Sequence, residues 1–217
     1  MASGKLDYKK EFKDLYMPKT KPMLLDVPSM NFIMVDGKGN PNAEDGEYPQ
    51  AVELLYTMAY TIKMSKMGGW QPDGYIEYVV PPLEGLWWWE GSASGLHNRE
   101  SWLWTSMIRQ PEFVTLDVLR WAAAEGKRKK PGLDFSKVRL ERFTEGLCVQ
   151  MMHIGPYADE PVSVEKMKAF MEQNGLADMT GAERKHHEIY LSDPRNTPPE
   201  KLKTVLRHPV AKVNQAF

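Results

Sequence analysis

The chain has 217 residues, enough for one large domain or two small fused ones, and its 42% hydrophobic and 26% charged composition is that of a globular protein with a real core. Lys+Arg number 28 and Asp+Glu 29, a net charge of −1 that speaks against nucleic acid as the main partner, since such surfaces carry a basic excess. A single cysteine, Cys148, excludes an internal disulfide framework and fits a reducing cytoplasm; no apolar run approaches membrane-spanning length and the N-terminus has no secretory apolar core, so no membrane partner is expected.

Residues 1–28 are lysine-rich and punctuated by proline, and read as an arm or strap. Asn31–Asp36 (NFIMVD) reads as a strand ended by Gly37-Lys38-Gly39. Ala51, Leu54, Leu55, Met58, Ala59 and Ile62 recur at helical spacing. After breaks at Gly68-Gly69 and Pro72-Asp73-Gly74, Tyr75–Val80 and Gly85–Glu90 read as strands flanking the Pro81-Pro82 turn. Gly91–Asn98 is a polar loop and Trp102–Ile108 a strand. Thr115 caps a helix over 116–126, whose basic end Lys127-Arg128-Lys129-Lys130 reads as a solvated helix terminus rather than an anion site. Strands follow at Val138–Phe143 and Leu147–Ile154, the latter carrying Cys148 as a buried structural thiol. Pro161 opens a helix with Met167, Phe170 and Met171 that ends near Asn174-Gly175. His187–Leu191 is a strand, Glu200–Lys203 a helical turn, and Val205–Arg207 an edge strand; residues 211–217 form a tail without signal.

The order repeats. Phe32–Val35, a helix and Tyr75–Val80 match Val149–Met152, a helix and His187–Leu191. The expected fold is therefore α+β: one domain over 29–210, made of two pseudo-symmetric βαββ units at about 29–110 and 111–210, with an antiparallel sheet, helices on one face and a ligand cleft on the other.

Period-2 alternation along His187–Leu191 puts His187, Ile189 and Leu191 on one face and Glu188, Tyr190 and Ser192 on the other. Glu188 is then either a solvated sheet residue or a cleft carboxylate. Trp102 and Trp104 share a face and can build a flat wall, whereas Trp87-Trp88-Trp89 puts tryptophan on both faces of its strand, and Trp88 is assigned to the cleft. A carboxylate among aromatic faces suits a flat or cationic molecule, and a dry wall would also raise its pKa and equip it for proton transfer. Tyr157, in a turn after a strand, could donate to a ligand oxygen or be a structural tyrosine. His186-His187 does not have metal-ligand spacing, and Walker, Rossmann and GxSxG motifs are absent, so neither metal nor cofactor is expected.

Four stretches, PLEGLWWWEG (82–91), WLWTSMIRQP (102–111), RFTEGLCVQMMHIGPYADEP (142–161) and HHEIYLSDPRNTPPEKLKTVLRHPV (186–210), resemble the GyrI-like small-molecule-binding domains, related to the SOUL fold. The resemblance covers about residues 25–210. It implies paired βαββ units around a cleft, a cleft carboxylate at Glu188, and, from similar stand-alone members, hydrolysis of cyclopropane rings in duocarmycin-like genotoxins. Under that implication Glu188 and Tyr157 are the catalytic candidates, and Trp88, Trp102, Trp104 and Tyr190 hold the substrate. A non-catalytic module that sequesters drugs is the alternative, and inhibition of a protein partner rests on the resemblance alone. Transcription-regulator members carry a further DNA-binding domain for which this chain has no room, and haem binding is not carried over because no axial ligand is evident.

Overall fold

The computed structural model describes residues 4–89 and 98–213, so most of the expected loop Gly91–Asn98 and the end of the tail lie outside the described residues. Two short helices, α1 (Tyr8–Glu11) and α2 (Lys13–Tyr16), lead into strands β1 (Met23–Val27) and β2 (Met30–Lys38). Helix α3 (Glu47–Lys63), strands β3 (Leu83–Trp89) and β4 (Trp102–Arg109), helix α4 (Leu116–Lys129) and strand β5 (Arg139–Phe143) follow. The second half holds β6 (Gly146–Ile154), α5 (Glu160–Gln173), β7 (Leu176–Asp178), β8 (His186–Tyr190) and β9 (Lys203–Lys212).

The strands form one antiparallel sheet in the order β1-β6-β9-β8-β3-β4-β2-β5, with β7 added to β9. That order is a palindrome about the β8–β3 seam: β6, β9 and β8 of one half mirror β2, β4 and β3 of the other. The α+β class and the repeat therefore stand, with one strand reassigned. The partner of β8 in the repeat is Leu83–Trp89; Tyr75–Val80 contributes only a bridge from Tyr78 to Leu6. Pro81 and Pro82 immediately precede β3, and nothing in the sequence alone says which side of them enters the sheet. The expected edge strand Val205–Arg207 is instead the middle of ten-residue β9, flanked by β6 and β8. Its apolar run reflects burial on both faces, as in a central strand.

The two faces are covered differently. On one, α3 and α4 pack on Ile33, Val35, Leu83, Trp87, Trp104 and Ile108, while α5 packs Met167 and Met171 on Val149, Met151, Leu206 and Val210. The other face (Phe32, Met34, Leu86, Met107, Cys148, Met152, Ile189, Val205) is closed by Tyr8, Leu15, Tyr16 and Tyr78. The N-terminal segment, expected as an arm or strap, closes this face of the core as a lid, and β1 joins the sheet through β6.

Beneath that lid lies a buried charged cluster. His187 Nδ1 is 3.0 Å from Glu145 Oε2 and Nε2 is 3.0 Å from Glu84 Oε2. Arg207 donates to Glu145 Oε2 at 2.8 Å, to Gln150 Oε1 at 2.9 Å and to the Leu15 carbonyl at 3.0 Å, and the Tyr16 hydroxyl donates to Glu84 Oε1 at 3.0 Å. Burial alone would strip the charge from His187, but its neighbours, Glu145 first, outweigh that and push it up to about 9. Burial likewise opposes the charge of Glu145, yet His187 and Arg207 hold it down at about 2. Two anions and two cations balance, which is the condition for burying any of them.

Candidate functional site

Glu188 occupies β8 at the seam, directly opposite Gly85 of β3 and Leu206 of β9. It lies on the same face as Trp87, Trp104 and Ser106, which is the face bearing α3 and α5. The cleft residues therefore sit between the two helices and not on the opposite side of the sheet. Alternation correctly separated Glu188 from Ile189, but the apolar face went to the N-terminal lid, which no periodicity in the strand could announce.

Gly85 makes the space. A Cβ there would come 2.7 Å from Trp87 Nε1 and 3.1 Å from the Tyr190 hydroxyl. Without it, Trp87 Nε1 donates to Tyr190 Oη at 2.9 Å. The Trp87 ring packs 5.4 Å from Tyr48, in the first turn of α3, and 5.8 Å edge-to-face from Trp102. Tyr157 stands 6.1 Å edge-to-face from Tyr190 and is 40% exposed, which places it at the mouth. The result is an aromatic wall of Tyr48, Trp87, Trp102, Tyr157 and Tyr190 beside a carboxylate.

A second carboxylate enters from α5. Glu160, the first residue of that helix, brings a ligand atom within 4.8 Å of those of Glu188 and His186. Among the described residues its buried Oε1 has no hydrogen-bond partner. A helix N-terminus favours an ionised glutamate, but burial, reinforced by the Glu188 charge, pushes Glu160 up to about 10. Burial and the same Glu188 charge push the Tyr157 phenol up to about 12 and raise Tyr190 further, so both remain hydrogen-bond donors.

His186 Nε2 lies 3.0 Å from Glu188 Oε1. The histidine pair lacks metal-ligand spacing in sequence, yet α5 brings Glu160 to His186 from 26 positions away. The spacing of the three donors would admit a divalent cation. Both ring nitrogens of His186 are already engaged, one by Glu188 and one by His208.

The remaining tryptophans separate. Trp102 is in the wall. Trp104 is 1% exposed, set under the Tyr48 ring at 5.1 Å and against Gly37, and is core. Trp88 is a correction: it faces the other side of β3, where Lys185 Nζ lies 4.6 Å over its ring, and Trp87 takes the place in the cleft. Glu160, Trp87, Tyr48 and His186 were not found from sequence. Glu160 and Tyr48 lie at helix starts, and only the three-dimensional fold brings those to the seam. A surface hollow of about 570 Å³ on the lid side, lined by Lys9, Met17, Ile154, Leu191, Glu200 and Lys203 among others, has no comparable convergence of hydrogen bonds.

The sequence matches the GyrI-like small molecule binding domain over residues 20–211. The chain belongs to this GyrI-like family. Solved structures similar to this GyrI-like domain include an uncharacterized conserved protein from Listeria innocua, 59% identical with a TM-score of 0.91, covering 95% of this chain and 100% of that one. A hydrolase from Listeria innocua is 56% identical with a TM-score of 0.87, covering 95% of this chain and 100% of that one. The C-terminal domain of EcmrR, at 12% identity and a TM-score of 0.52 over 89% of this chain and 98% of that one, shares the fold. Among curated proteins no sequence match is found. As a GyrI-like domain the chain binds small molecules, and no helix among its described residues is long and apolar enough to cross a membrane.

Proposed function

We propose that the chain is a hydrolase that takes a flat, amphipathic molecule into the aromatic cleft and adds water to a strained cyclopropane ring, as a cytoplasmic defence against duocarmycin-like genotoxins. The observation that carries this reading is the close glutamate pair: Glu160, whose pKa burial raises, and Glu188 beside His186, with ligand atoms of all three within 4.8 Å of one another. Two carboxyl groups in different protonation states are the usual equipment for moving a proton on and off water. The hydrolase from Listeria innocua, at 56% identity over nearly the whole chain, supports it.

In a cyclopropane conjugated to a dienone, water attacks the ring methylene. The carbon–oxygen bond forms, the ring carbon–carbon bond breaks, and its electron pair flows to the carbonyl oxygen, making a phenolate. Glu188 accepts the proton that water sheds, and Glu160 holds the water by hydrogen bonding. Tyr157 donates a hydrogen bond to the oxygen as charge develops there. The phenolate then takes a proton from solvent while Glu188 returns its own, so the sum is the addition of one water with no oxidant. Trp87, Trp102 and Tyr190 stack on the flat ring system and exclude bulk water.

The test is incubation with such a cyclopropane compound followed by mass spectrometry. A gain of one water with wild type that falls to background with Glu188→Gln is expected; no water adduct above background with wild type overturns the reading. Sequestration without turnover is the second reading, favoured by the aromatic walls around an anionic group, which attract cations. In that case wild type adds no water, and Glu188→Gln weakens a cationic ligand far more than a neutral one of the same shape.

A further inference from the structure

Behind Glu188, two histidines connect it to a carboxylate at the rim. Asp178 Oδ2 is 3.0 Å from His208 Nδ1, His208 Nε2 is 2.8 Å from His186 Nδ1, and His186 Nε2 is 3.0 Å from Glu188 Oε1. The segment is built for this. His186 and Glu188 are two apart on β8 and share a face, His208 is on neighbouring β9, and β7 pairs with β9 so that Asp178 sits opposite Val210. The histidine rings cross at 90° with centroids 4.9 Å apart, so they meet edge to face and not by stacking.

These contacts can be counted in protons. At about 3 Å, two facing lone pairs repel, so each of the three contacts holds one hydrogen. Two neutral imidazoles bring only two. The chain therefore carries one proton beyond its neutral rings, set between two carboxylates. Asp178 is fixed as an acceptor: it is opposed by burial, but hydrogen bonds from His208 and Thr180 hold it below the usual carboxylate range. Burial, offset by Asp178, keeps His208 below the usual imidazole range and so in its neutral form, which leaves the extra proton at the His186–Glu188 end.

We propose that Asp178 and His208 are positioning residues that orient His186 and hold a proton at its contact with Glu188. Like charges so close do not both persist, and the held proton places positive charge beside one member of the Glu160–Glu188 pair. The other ionisable groups facing this chain are Glu160 and Lys168 from α5, Tyr157 from the turn before it, and Tyr48 and Tyr190 in the wall. None of them hydrogen-bonds to His208 among the described residues, so the chain runs in one direction, from the rim to Glu188. The role in catalysis rests on the hydrolase reading; the proton count does not.

The experiment is nitrogen-15 NMR of the imidazole rings at pH 7 in the free protein, for wild type, Asp178→Asn, Asp178→Glu and His208→Leu. In wild type, both His186 ring nitrogens carry hydrogens and His208 is the neutral Nδ1–H tautomer. Asp178→Asn returns His186 to a neutral ring with one bare nitrogen, and Asp178→Glu restores the wild-type signature. A bare His186 nitrogen in wild type, or the same His186 signature in all four proteins, overturns the proposal. With a cyclopropane substrate, Asp178→Asn is expected to lower kcat by about tenfold with KM little changed and to shift the pH profile; an unchanged kcat and profile overturns the catalytic part. A wild type with the doubly protonated His186 that adds no water upholds the chain and overturns the hydrolase reading instead.

Discussion

Replacing His187 by glutamine tests the charged cluster under the N-terminal lid. In the wild type both ring nitrogens of His187 meet carboxylates at 3.0 Å, and the balance with Arg207 is two cations against two anions. His187→Gln keeps hydrogen-bonding capacity but leaves Glu84 and Glu145 facing one cation, and removing one partner of a buried ion cluster costs about 3–5 kcal/mol. The pH dependence is the sharper test. His187 rises from 6.5 to about 9 on folding, and at about 1.4 kcal/mol per pH unit this is a contribution of about 3 kcal/mol. Because the folded value is the higher, the contribution is complete below pH 6.5 and disappears as pH rises through 9. Glu145 runs the other way: lowered from 4.5 to about 2, it contributes fully above pH 4.5 and loses its contribution as pH falls through 2. The cluster is therefore fully stabilising between pH 4.5 and 6.5. Urea unfolding of wild type and His187→Gln at intervals from pH 6 to 10 should show the gap between them closing as pH rises. A gap that stays constant across that range would refute a buried imidazolium at His187.

Glu160→Gln should slow water addition less than Glu188→Gln and at the same time stabilise the protein at pH 7 by about 1–3 kcal/mol, because the folded chain no longer has to hold a proton that the unfolded chain gives up; since burial raises the Glu160 pKa, the gain should grow as pH rises above 4.5, as thermal melts at pH 5 and pH 8 will show. Gly85→Ala should break the Trp87–Tyr190 hydrogen bond, given the 2.7 Å approach of its Cβ to Trp87 Nε1, and weaken ligand binding measured by calorimetry much more than Trp88→Ala, which changes the other face of β3. Gly37→Ala puts a Cβ 2.2 Å from the buried Trp104 ring and should cost about 1–3 kcal/mol in chemical denaturation while Glu188 remains in place.

Alternation and helical spacing were enough to find the helices α3, α4 and α5 and most strands, because each carries an amphipathic or doubly apolar pattern of its own length. What they could not rank was near-equal choices. Tyr75–Val80 and Leu83–Trp89 are both apolar and aromatic, and the pairing of Leu83–Trp89 with both β4 and β8, a non-local property, selects the second. Trp87 and Trp88 are the same residue type one step apart, so register alone decides which enters the cleft. Glu188 stood out because a carboxylate alternating with Ile189 must face something other than core. Glu160 did not, since a glutamate beside a proline at a helix start looks like an ordinary first-turn acid. The charged cluster was invisible for a similar reason: Glu84, Glu145, His187 and Arg207 lie in four separate segments, and each looks solvated until the lid closes over it.

The palindromic strand order carries a consequence for how the halves depend on each other. β1, which belongs by sequence to the first half, pairs only with β6 of the second, and β5, which leads into the second half, pairs only with β2 of the first. Each half thus lends its leading strand to the other, a reciprocal handclasp across the seam on top of the β3–β8 pairing. A chain severed in the segment between β4 and α4 would yield two fragments, each with an unmatched strand and an open sheet edge that only its counterpart can satisfy. Such fragments are a natural pair for reassembly.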